Sequence, residues 1–448
     1  MTNTEKHPYI FGLLQQVISY LVKMNLRLVY PLILALILLA YFIYFSVKRL
    51  INKEQGIISA IVFTTGLLPI LYGKIAFTDG LLLCFEGISL LSYLLWFKEK
   101  KWQWLFILNI TISLALLTKG PPILMMMGSM IGLQIIFGPN RAFAIKSIFY
   151  LIPSLFPMFY WLYQIHLVGR DDFLSWLLDW YVLKRTSGTV FGQTGPVGYF
   201  ALLFLLSFIL FSPFIIDSIK SWWERIKKKE ELSLLMLYAL PGAWWLYEIL
   251  PSKLPSYALA AYPILSIGLG RYLSISIKKN NILPIILLIG LIFAFFVPKS
   301  LPNNTISNSL QVSIILIFIT LALFTFLKNS QKYIYNGVGL IVFFLLSLNI
   351  FALEKDRNYT ATIADKVKNI NPKITKIYFS KNFEIPGIAV YLQRNNIEYQ
   401  LDTSFQNKGI YLADNENIHL LPNMTKIDSI QGWISDRGKF ATFYLLQH

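Results

Sequence analysis

Long apolar windows recur along most of this chain, and they constrain its fold more than any other feature. A helix needs roughly 17 to 25 mainly apolar residues to cross the hydrocarbon core of a membrane. Windows of this kind recur from about residue 27 to about residue 353. Charged residues make up only 14% of the sequence, against 56% for hydrophobic residues. The chain is therefore predicted to be an all-α polytopic membrane protein.

About twelve transmembrane helices are predicted from these windows. Their approximate bounds are 27–48, 56–72, 80–97, 102–118, 120–137, 143–168, 198–220, 232–249, 255–275, 281–298, 309–328 and 333–353. The fifth window follows a break at Gly120. Pro121 and Pro122 fit the first turn of a new helix, because an N–H at that position has no partner to lose.

The connections between windows fall into two sets by charge. One set is rich in lysine and arginine, as in 220–229, and these loops are predicted to face the cytoplasm. The other set faces the extracytoplasmic side and carries isolated cations, which are Lys74, Lys119, Arg170, Lys184, Arg185, Lys253 and Lys299. The net charge of +17 is the sum over loops on both faces of the membrane. Because the positive charge is not gathered on one surface, we predict no nucleic-acid partner.

The composition changes after residue 353, which divides the chain into a transmembrane domain, 1–353, and a C-terminal domain, 354–448. The C-terminal part is more polar and has short alternating apolar segments, so we predict a small soluble α/β domain on the extracytoplasmic side. Its predicted elements are strands at 376–380, 397–401 and 409–413 and a helix at 387–394.

Acidic residues in or near the spans are candidates for a site. Asp79 and Glu86 are seven residues apart, so they share one face of a helix, with Glu86 about 10 Å deeper. A carboxylate inside a span indicates function by default, because its burial is costly. The alternative is structural: Asp79 caps a helix and Glu86 pairs with a neighbouring polar group.

Cations on the same predicted side form a second set of candidates. Lys119, the pair Lys184 and Arg185, and Lys253 could together hold a phosphate at the outer headgroup level. Arginine would supply a bidentate fork and lysine a point charge. The alternative is that each cation only extends to the lipid headgroups.

Four sequence runs in this order resemble a known family. They are EKHPYIFGLL, AFTDGLLLCF, LALLTKGPP and SKLPSYALAAYP, within residues 4 to 270. They resemble the polyprenyl-phosphate-dependent glycosyltransferases of the GT-C type, a family that includes aminoarabinose transferases and protein mannosyltransferases. The resemblance implies a GT-C-like membrane glycosyltransferase at the outer face of the cytoplasmic membrane. Such an enzyme moves a sugar from a polyprenyl-phosphate donor to a lipid, glycan or protein acceptor.

The resemblance also implies roles for particular residues. Those expected to hold the donor phosphate are Lys6, Lys119, Arg185 and Lys253, and those expected to be catalytic are Asp79 and Glu5. Those expected to support the site are Lys74, Glu86 and Lys184. Membrane lipids are the other expected partners.

The sequence departs from the family pattern at two places. Family members usually begin with one more span and an outer loop that carries an acidic motif, and we expect that this segment is missing here. Aminoarabinose-type relatives often have a histidine where this chain reads FGQTGPVGYF, with Gln193 and Thr194. The four histidines give no ligand spacing, so a divalent metal has no predicted ligand set and no cofactor is predicted.

Two other functions remain open from the sequence. The chain could be a transporter or flippase for an anionic lipid or solute, with the acids and lysines along a path. It could also be a non-catalytic assembly subunit. Transporters tend to have two related halves and interrupted helices near the membrane midplane. We find no internal repeat, and the cations are predicted at one face, so the sequence favours the glycosyltransferase.

Overall fold

A computed structural model describes residues 30–73, 78–179, 183, 195–279, 359–379, 388, 391–393, 395–402, 407–414, 418–421, 424–434 and 439–448. These residues fall into two compact units, 30–279 and 359–448.

The first unit is helical throughout. Its α-helices are α1 Tyr30–Leu50, α2 Lys53–Thr64, α3 Leu67–Tyr72, α4 Asp79–Glu99, α5 Trp102–Lys119, α6 Pro122–Phe137, α7 Arg141–Leu151, α8 Phe156–Leu167, α9 Asp171–Leu178, α10 Tyr199–Ser207, α11 Ile215–Lys227, α12 Glu231–Leu240, α13 Leu246–Ile249 and α14 Ala261–Lys279. Short 3₁₀ segments lie at Ile152–Leu155, Ile209–Phe214 and Pro255–Ala258, and a π-helical turn lies at Pro241–Trp245.

Within the described residues, five helical stretches are long and apolar enough to cross a membrane. They are Pro31–Leu50, Asp79–Glu99, Trp102–Lys119, Arg141–Leu167 and Glu231–Ile249. The predicted helical membrane fold is confirmed. The count of twelve spans stays a prediction, because the windows 281–298, 309–328 and 333–353 lie outside the described residues.

Several predicted windows are single runs in the sequence but broken helices in the structure. The window 143–168 contains a 3₁₀ turn at Ile152–Leu155, and the window 232–249 contains the π-helical turn at Pro241–Trp245. Both breaks contain a proline, which lacks the backbone N–H and collides with the preceding turn. Each stretch still forms one candidate span, Arg141–Leu167 and Glu231–Ile249, so hydropathy located the span but not the turn inside it.

Helix α4 lies at the centre of the bundle. Its most apolar stretch is 89% buried, whereas the other four candidate spans range from 17% to 50%. Buried hydrogen bonds join α4 to its neighbours: Ser89 Oγ donates to Thr111 Oγ1 of α5 at 2.8 Å, and Tyr93 Oη donates to Gln134 Oε1 of α6 at 2.6 Å. Such bonds help hold helices together in lipid, where apolar surfaces alone have little reason to associate.

A bidentate ion pair fixes the helices at the end of α4 that is distant from Asp79. Arg49 at the end of α1 donates to both oxygens of Glu99, at 2.6 and 3.0 Å. The indole N–H of Trp104 donates to the same carboxylate at 3.0 Å. The ends of α1 and α4 and the start of α5 are thereby held together.

A second ion pair joins α14 to the start of α12. Arg271, whose side chain is only 4% exposed, donates to both carboxylate oxygens of Glu230 at 2.6 and 3.0 Å. Ser233 Oγ also accepts from Arg271, at 3.2 Å. Removing one member of such a pair is costly, because the other charge stays buried without its partner.

The second unit is a small α/β unit. Helix α15 Tyr359–Ile370 precedes five strands, which are β1 Lys376–Phe379, β2 Glu398–Leu401, β3 Ile410–Asp414, β4 Thr425–Ile434 and β5 Lys439–Gln447. Their order in the sheet is β2-β1-β3-β5-β4, in which β1 pairs in parallel with β2 and β3, and β5 pairs in antiparallel with β3 and β4. The three predicted strands are present, and Ile388 and 391–393 of the predicted helix are helical.

The Glu230→Gln substitution is expected to destabilise the first unit by about 1–3 kcal/mol, because it leaves Arg271 buried without a full counter-charge. Thermal unfolding of the purified protein in detergent measures the loss. Asp217→Asn is the matched control, since Asp217 is half exposed and pairs loosely with Lys220 at 3.6 Å. The control should cost at most about 0.5 kcal/mol. Equal losses in the two variants would contradict the role given to Glu230.

Acid should weaken the same pair. Burial raises the pKa of Glu230, but hydrogen bonds from Arg271 and Ser233 and the nearby arginine charges lower it by more, so the pKa lies below its ordinary value. This contribution to stability is present at neutral pH and is lost as the pH falls through the folded-state pKa. The unfolding temperature of the wild type should therefore fall more steeply in acid than that of Glu230→Gln.

Candidate active site

An ion pair between Lys119 and Asp79 is the centre of the candidate site. Lys119 Nζ donates to Asp79 Oδ1, and the two side chains are only 17% and 12% exposed. The two residues are forty positions apart in the sequence and meet because α5 packs against α4. The structure thus brings two of the predicted site residues into contact, and the roles predicted for them stay predictions.

Local backbone features place both side chains. Asp79 is the first residue of α4, where the exposed N–H groups and the helix dipole favour a negative charge. Gly80 follows it at a point where a Cβ would come within 2.4 Å of the Tyr72 carbonyl oxygen, so the end of α3 can lie against α4. Lys119 is the last residue of α5, and Gly120 (φ +77°) ends that helix in a conformation that favours glycine. Helix α6 restarts at Pro122, as predicted.

Tyrosines form one wall beside the pair. Lys119 Nζ lies 5.9 Å from the centroid of the Tyr257 ring, within the range of a cation–π contact. The Tyr257 ring in turn lies 5.5 Å from the Tyr247 ring, centroid to centroid. Tyr72 is also close, because it interacts with both Asp79 and Ser256. The ion pair is therefore mostly buried, with aromatic rings on one side of it.

Glu86 lies deeper on the same face of α4 and is almost fully buried, with 2% of its surface exposed. Within the described part of the chain, its Oε1 atom has no hydrogen-bond partner. Glu86 is close enough to Lys119 and Asp79 to interact electrostatically with both. Its predicted role as a supporting residue stays a prediction.

Lys253 has a more enclosed position than the sequence suggested. Its side chain is 2% exposed, and its Nζ donates to the backbone carbonyl oxygens of Tyr247, at 2.9 Å, and Glu248. The carboxylate of Glu248 lies 3.9 Å from Nζ, and the Phe200 ring centroid lies at 5.5 Å. These contacts give Lys253 a local positioning role. Its predicted contact with the donor phosphate remains a prediction.

Glu248 is a residue that the sequence analysis missed. Its carboxylate accepts the backbone N–H groups of Gly198 and Ala201, at 3.0 and 3.2 Å, and the indole N–H of Trp244 at 3.0 Å. Glu248 thus caps the start of α10 and joins it to the segment that holds Lys253. The signal was present in the sequence, since Glu248 is an acid inside a predicted span, as Glu86 is.

The other predicted site residues lie outside the described residues, and their roles stay predictions. They are Glu5, Lys6, Lys74, Lys184 and Arg185. Among the residues that the structure describes, no group of three or more histidine, cysteine, aspartate or glutamate side chains could hold a metal ion.

The fold and this site can now be compared with known proteins. Residues 6–163 match the family described as dolichyl-phosphate-mannose-protein mannosyltransferase. The whole fold is similar to the crystal structure of ArnT from Cupriavidus metallidurans bound to undecaprenyl phosphate. The TM-score is 0.72 with 15% sequence identity, over 94% of this chain and 84% of that one. The chain therefore has a GT-C-type membrane fold.

Two relatives are similar in sequence over most of this chain. An uncharacterized protein of Aquifex aeolicus is 24% identical over 77% of this chain and 66% of its own length. The undecaprenyl phosphate-alpha-4-amino-4-deoxy-L-arabinose arabinosyl transferase of Wigglesworthia glossinidia brevipalpis is 25% identical over 69% of this chain. The chain spans about half the length of that transferase. These matches confirm the predicted resemblance to the GT-C-type aminoarabinose transferases and protein mannosyltransferases.

A double-mutant cycle measures the coupling between Lys119 and Asp79. Lys119→Met and Asp79→Asn should each lower the free energy of unfolding by about 1–3 kcal/mol, because each leaves a mostly buried charge without its partner. The double variant should be no less stable than the worse single variant, since both charges are then absent. Unfolding in detergent provides the measurement. Simple additivity of the two losses would contradict a direct ion pair.

Proposed function

We propose that this chain transfers a sugar from a polyprenyl-phosphate donor to an acceptor at the extracytoplasmic face of the cytoplasmic membrane. The observation that carries the proposal is the Lys119–Asp79 pair, held at the ends of two adjacent helices beside a wall of tyrosines. The ArnT structure that shares this fold contains undecaprenyl phosphate, and the family that residues 6–163 match is described as dolichyl-phosphate-mannose-protein mannosyltransferase. The alternating charge of the connections and the twelve predicted spans support the orientation.

In this proposal, Lys119 exchanges one anionic partner, the Asp79 carboxylate, for another, the phosphate of the donor. Asp79 neutralises Lys119 while no donor is bound, so the enclosed lysine is not left unpaired. The phosphodiester of the donor carries one negative charge and can take the place of the carboxylate on Lys119. Because the ion pair is mostly buried, a phosphate there gains more from the cation than it would in bulk solvent.

Release from Lys119 leaves Asp79 free to act on the acceptor. During transfer, the acceptor oxygen forms a bond to the anomeric carbon, the bond from that carbon to the phosphate oxygen breaks, and the phosphate keeps the electron pair. A hydroxyl acceptor loses its proton in this step, and the Asp79 carboxylate can accept it. A positioned base of this kind contributes about 10² to 10⁴ in rate. Lys119 stabilises the second negative charge that develops on the departing phosphate.

The other residues then have distinct roles in the proposal. Glu248 and Lys253 fix the segment that carries Tyr247 and Tyr257 against the start of α10, so they shape the wall of the site. Lys6 and Arg185 would add further charge to the phosphate, and Glu5 would join Asp79 at the sugar and acceptor. The acceptor could be a lipid, a glycan or a protein, since no described contact selects among them.

A transfer assay tests the proposal. The purified chain in lipid nanodiscs is given undecaprenyl phosphate linked to a radiolabelled amino sugar, and bacterial lipid, glycan and protein fractions are offered separately as acceptors. We expect transfer of the label together with release of undecaprenyl phosphate. Lys119→Met should lower turnover by about 10² to 10³, because one fixed charge on the phosphate is lost.

The matched control is Lys101→Met. Lys101 also lies at a helix end, but it pairs with Glu99 at the opposite end of α4 and is 53% exposed. The turnover of the Lys101→Met variant should equal that of the wild type. A Lys119→Met variant with full activity would refute the role of the pair. Movement of the labelled donor across a liposome membrane without transfer would instead identify a transporter.

A further inference from the structure

Helix α11, Ile215–Lys227, has three chemically different sides. The first side packs against the bundle. Ser218 is buried there, and the indole N–H of Trp222 donates to the Ser233 carbonyl oxygen at 3.3 Å. A Cβ added to Gly268 of α14 would lie 3.4 Å from the Trp222 ring, so the ring lies directly against α14. These contacts fix the rotation of α11 about its own axis.

The second side of α11 is apolar and exposed. Ile216, Ile219 and Trp223 are each more than half exposed, although the neighbouring Trp222 packs inward. The three exposed residues are spaced by three and four positions, so they form one stripe along the helix. An apolar stripe that includes a tryptophan is typical of a helix that meets lipid at the membrane–water interface.

The third side of α11 is charged. Asp217 and Glu224 are seven residues apart, so they share one face of the helix, and both are exposed. Lys220 and Lys227 lie between these acids and the apolar stripe, because each is three positions after an acid and four positions after a stripe residue. Lys220 pairs loosely with Asp217 at 3.6 Å, and Lys227 has no ion-pair partner among the described residues. Both lysines therefore border the apolar stripe.

This arrangement of sides indicates that α11 lies in the plane of the interface. In the candidate span Arg141–Leu167, no charged residue lies between Lys146 and His166, and outward rings such as Phe149 and Phe159 are exposed. That span is apolar wherever it faces outward over most of its length. Helix α11 instead has an apolar strip beside a charged strip, which is the pattern expected for an interfacial helix.

The length of the preceding segment places α11 at the membrane face opposite the candidate site. Helix α10 begins where Glu248 caps it, beside the segment that holds Lys253. Together α10 and the 3₁₀ segment Ile209–Phe214 rise about 26 Å, close to the roughly 30 Å of a hydrocarbon core. The basic run 220–229 predicts that the face reached there is cytoplasmic.

Anionic phospholipid is the partner that this surface fits. With the apolar stripe among the upper acyl chains, the lysines that border it reach the level of the lipid phosphates. Lys220 and Lys227 are about 10 Å apart along the helix, so each can hold a separate headgroup. Lys228 and Lys229 are both exposed and extend the positive charge beyond the end of α11.

We propose that α11 lies in the headgroup layer of the cytoplasmic leaflet and binds anionic phospholipid through Lys220 and Lys227. The occupant is lipid of the bilayer itself, and neither the sugar donor nor the acceptor is involved. The inference goes beyond the proposed function, because it concerns the opposite membrane face and holds whether or not the chain transfers a sugar.

Quenching of a fluorescent label by nitroxide lipids tests the depth of α11. The single native cysteine, Cys84, is buried, so Ile219→Cys gives one reactive thiol for a bimane label on the full chain in nanodiscs. A nitroxide near the lipid headgroup should quench this label at least about twofold more than one near the end of the acyl chain. A label on Glu224→Cys should be quenched by aqueous iodide instead. Stronger quenching at position 219 by the deep nitroxide would mean that the helix crosses the membrane, and no quenching by either lipid would mean that a protein covers the stripe. Either result would overturn the proposal.

The same label at position 219 tests the preference for an anionic headgroup. Two nitroxide lipids that differ only in the headgroup, phosphatidylglycerol and phosphatidylcholine, are each added as a minor component of phosphatidylcholine nanodiscs. The anionic lipid should quench about fivefold more strongly, because nearby lysines concentrate it around α11. Salt at about 0.5 M should reduce this ratio.

Substitution of the two lysines identifies the residues that bind the headgroup. Lys220→Gln combined with Lys227→Gln should lower the quenching ratio to below about twofold. The matched control is Lys53→Gln combined with Lys98→Gln, which removes two exposed lysines of the predicted cytoplasmic face outside α11 and should leave the ratio unchanged. Equal quenching by the two headgroups in the wild type, or the same ratio in the α11 variant as in the wild type, would overturn the assignment.

Discussion

The structure depends on the ion pair between Lys119 and Asp79, which keeps a positive charge inside the helical bundle. A lysine at this depth is costly unless an anion lies beside it, because the surroundings are poor in water. Asp79 meets that need from the N-terminal end of α4, where the helix dipole also favours a carboxylate. The pair keeps both charges compensated inside the bundle. In the proposed function, the donor phosphate takes the place of Asp79 beside Lys119. The stability of the bundle and the proposed function therefore both require Lys119 to lie beside an anion.

Much of the surrounding structure serves to hold this pair in place. Gly80 allows α3 to approach α4, and Gly120 ends α5 directly after Lys119. At the opposite end of α4, Glu99 accepts hydrogen bonds from Arg49 of α1 and from Trp104 of α5, so α4 and α5 are held at both ends.

The sequence predicted the helical membrane fold and the break between α5 and α6, because hydropathy and helix-breaking residues are local signals. The restart at Pro122 followed from Gly120 and the two prolines alone. The pairing of Lys119 with Asp79 could not be predicted from the sequence, since it depends on how α4 packs against α5. The sequence also did not predict the carbonyl groups that accept from Lys253. These carbonyl groups have no partner within their own helix, because the helix ends at Ile249. Strand β4 was missed because polar residues and a register shift between Lys426 and Asp428 obscure its alternation.

A structure of the protein in a lipid nanodisc with undecaprenyl phosphate, determined by electron cryomicroscopy, tests the central claim most directly. The account predicts a phosphate oxygen at hydrogen-bond distance from Lys119 Nζ, about 2.7 to 3.2 Å, with the Asp79 carboxylate released. A bound phosphate elsewhere, with the Lys119–Asp79 pair intact, would contradict it.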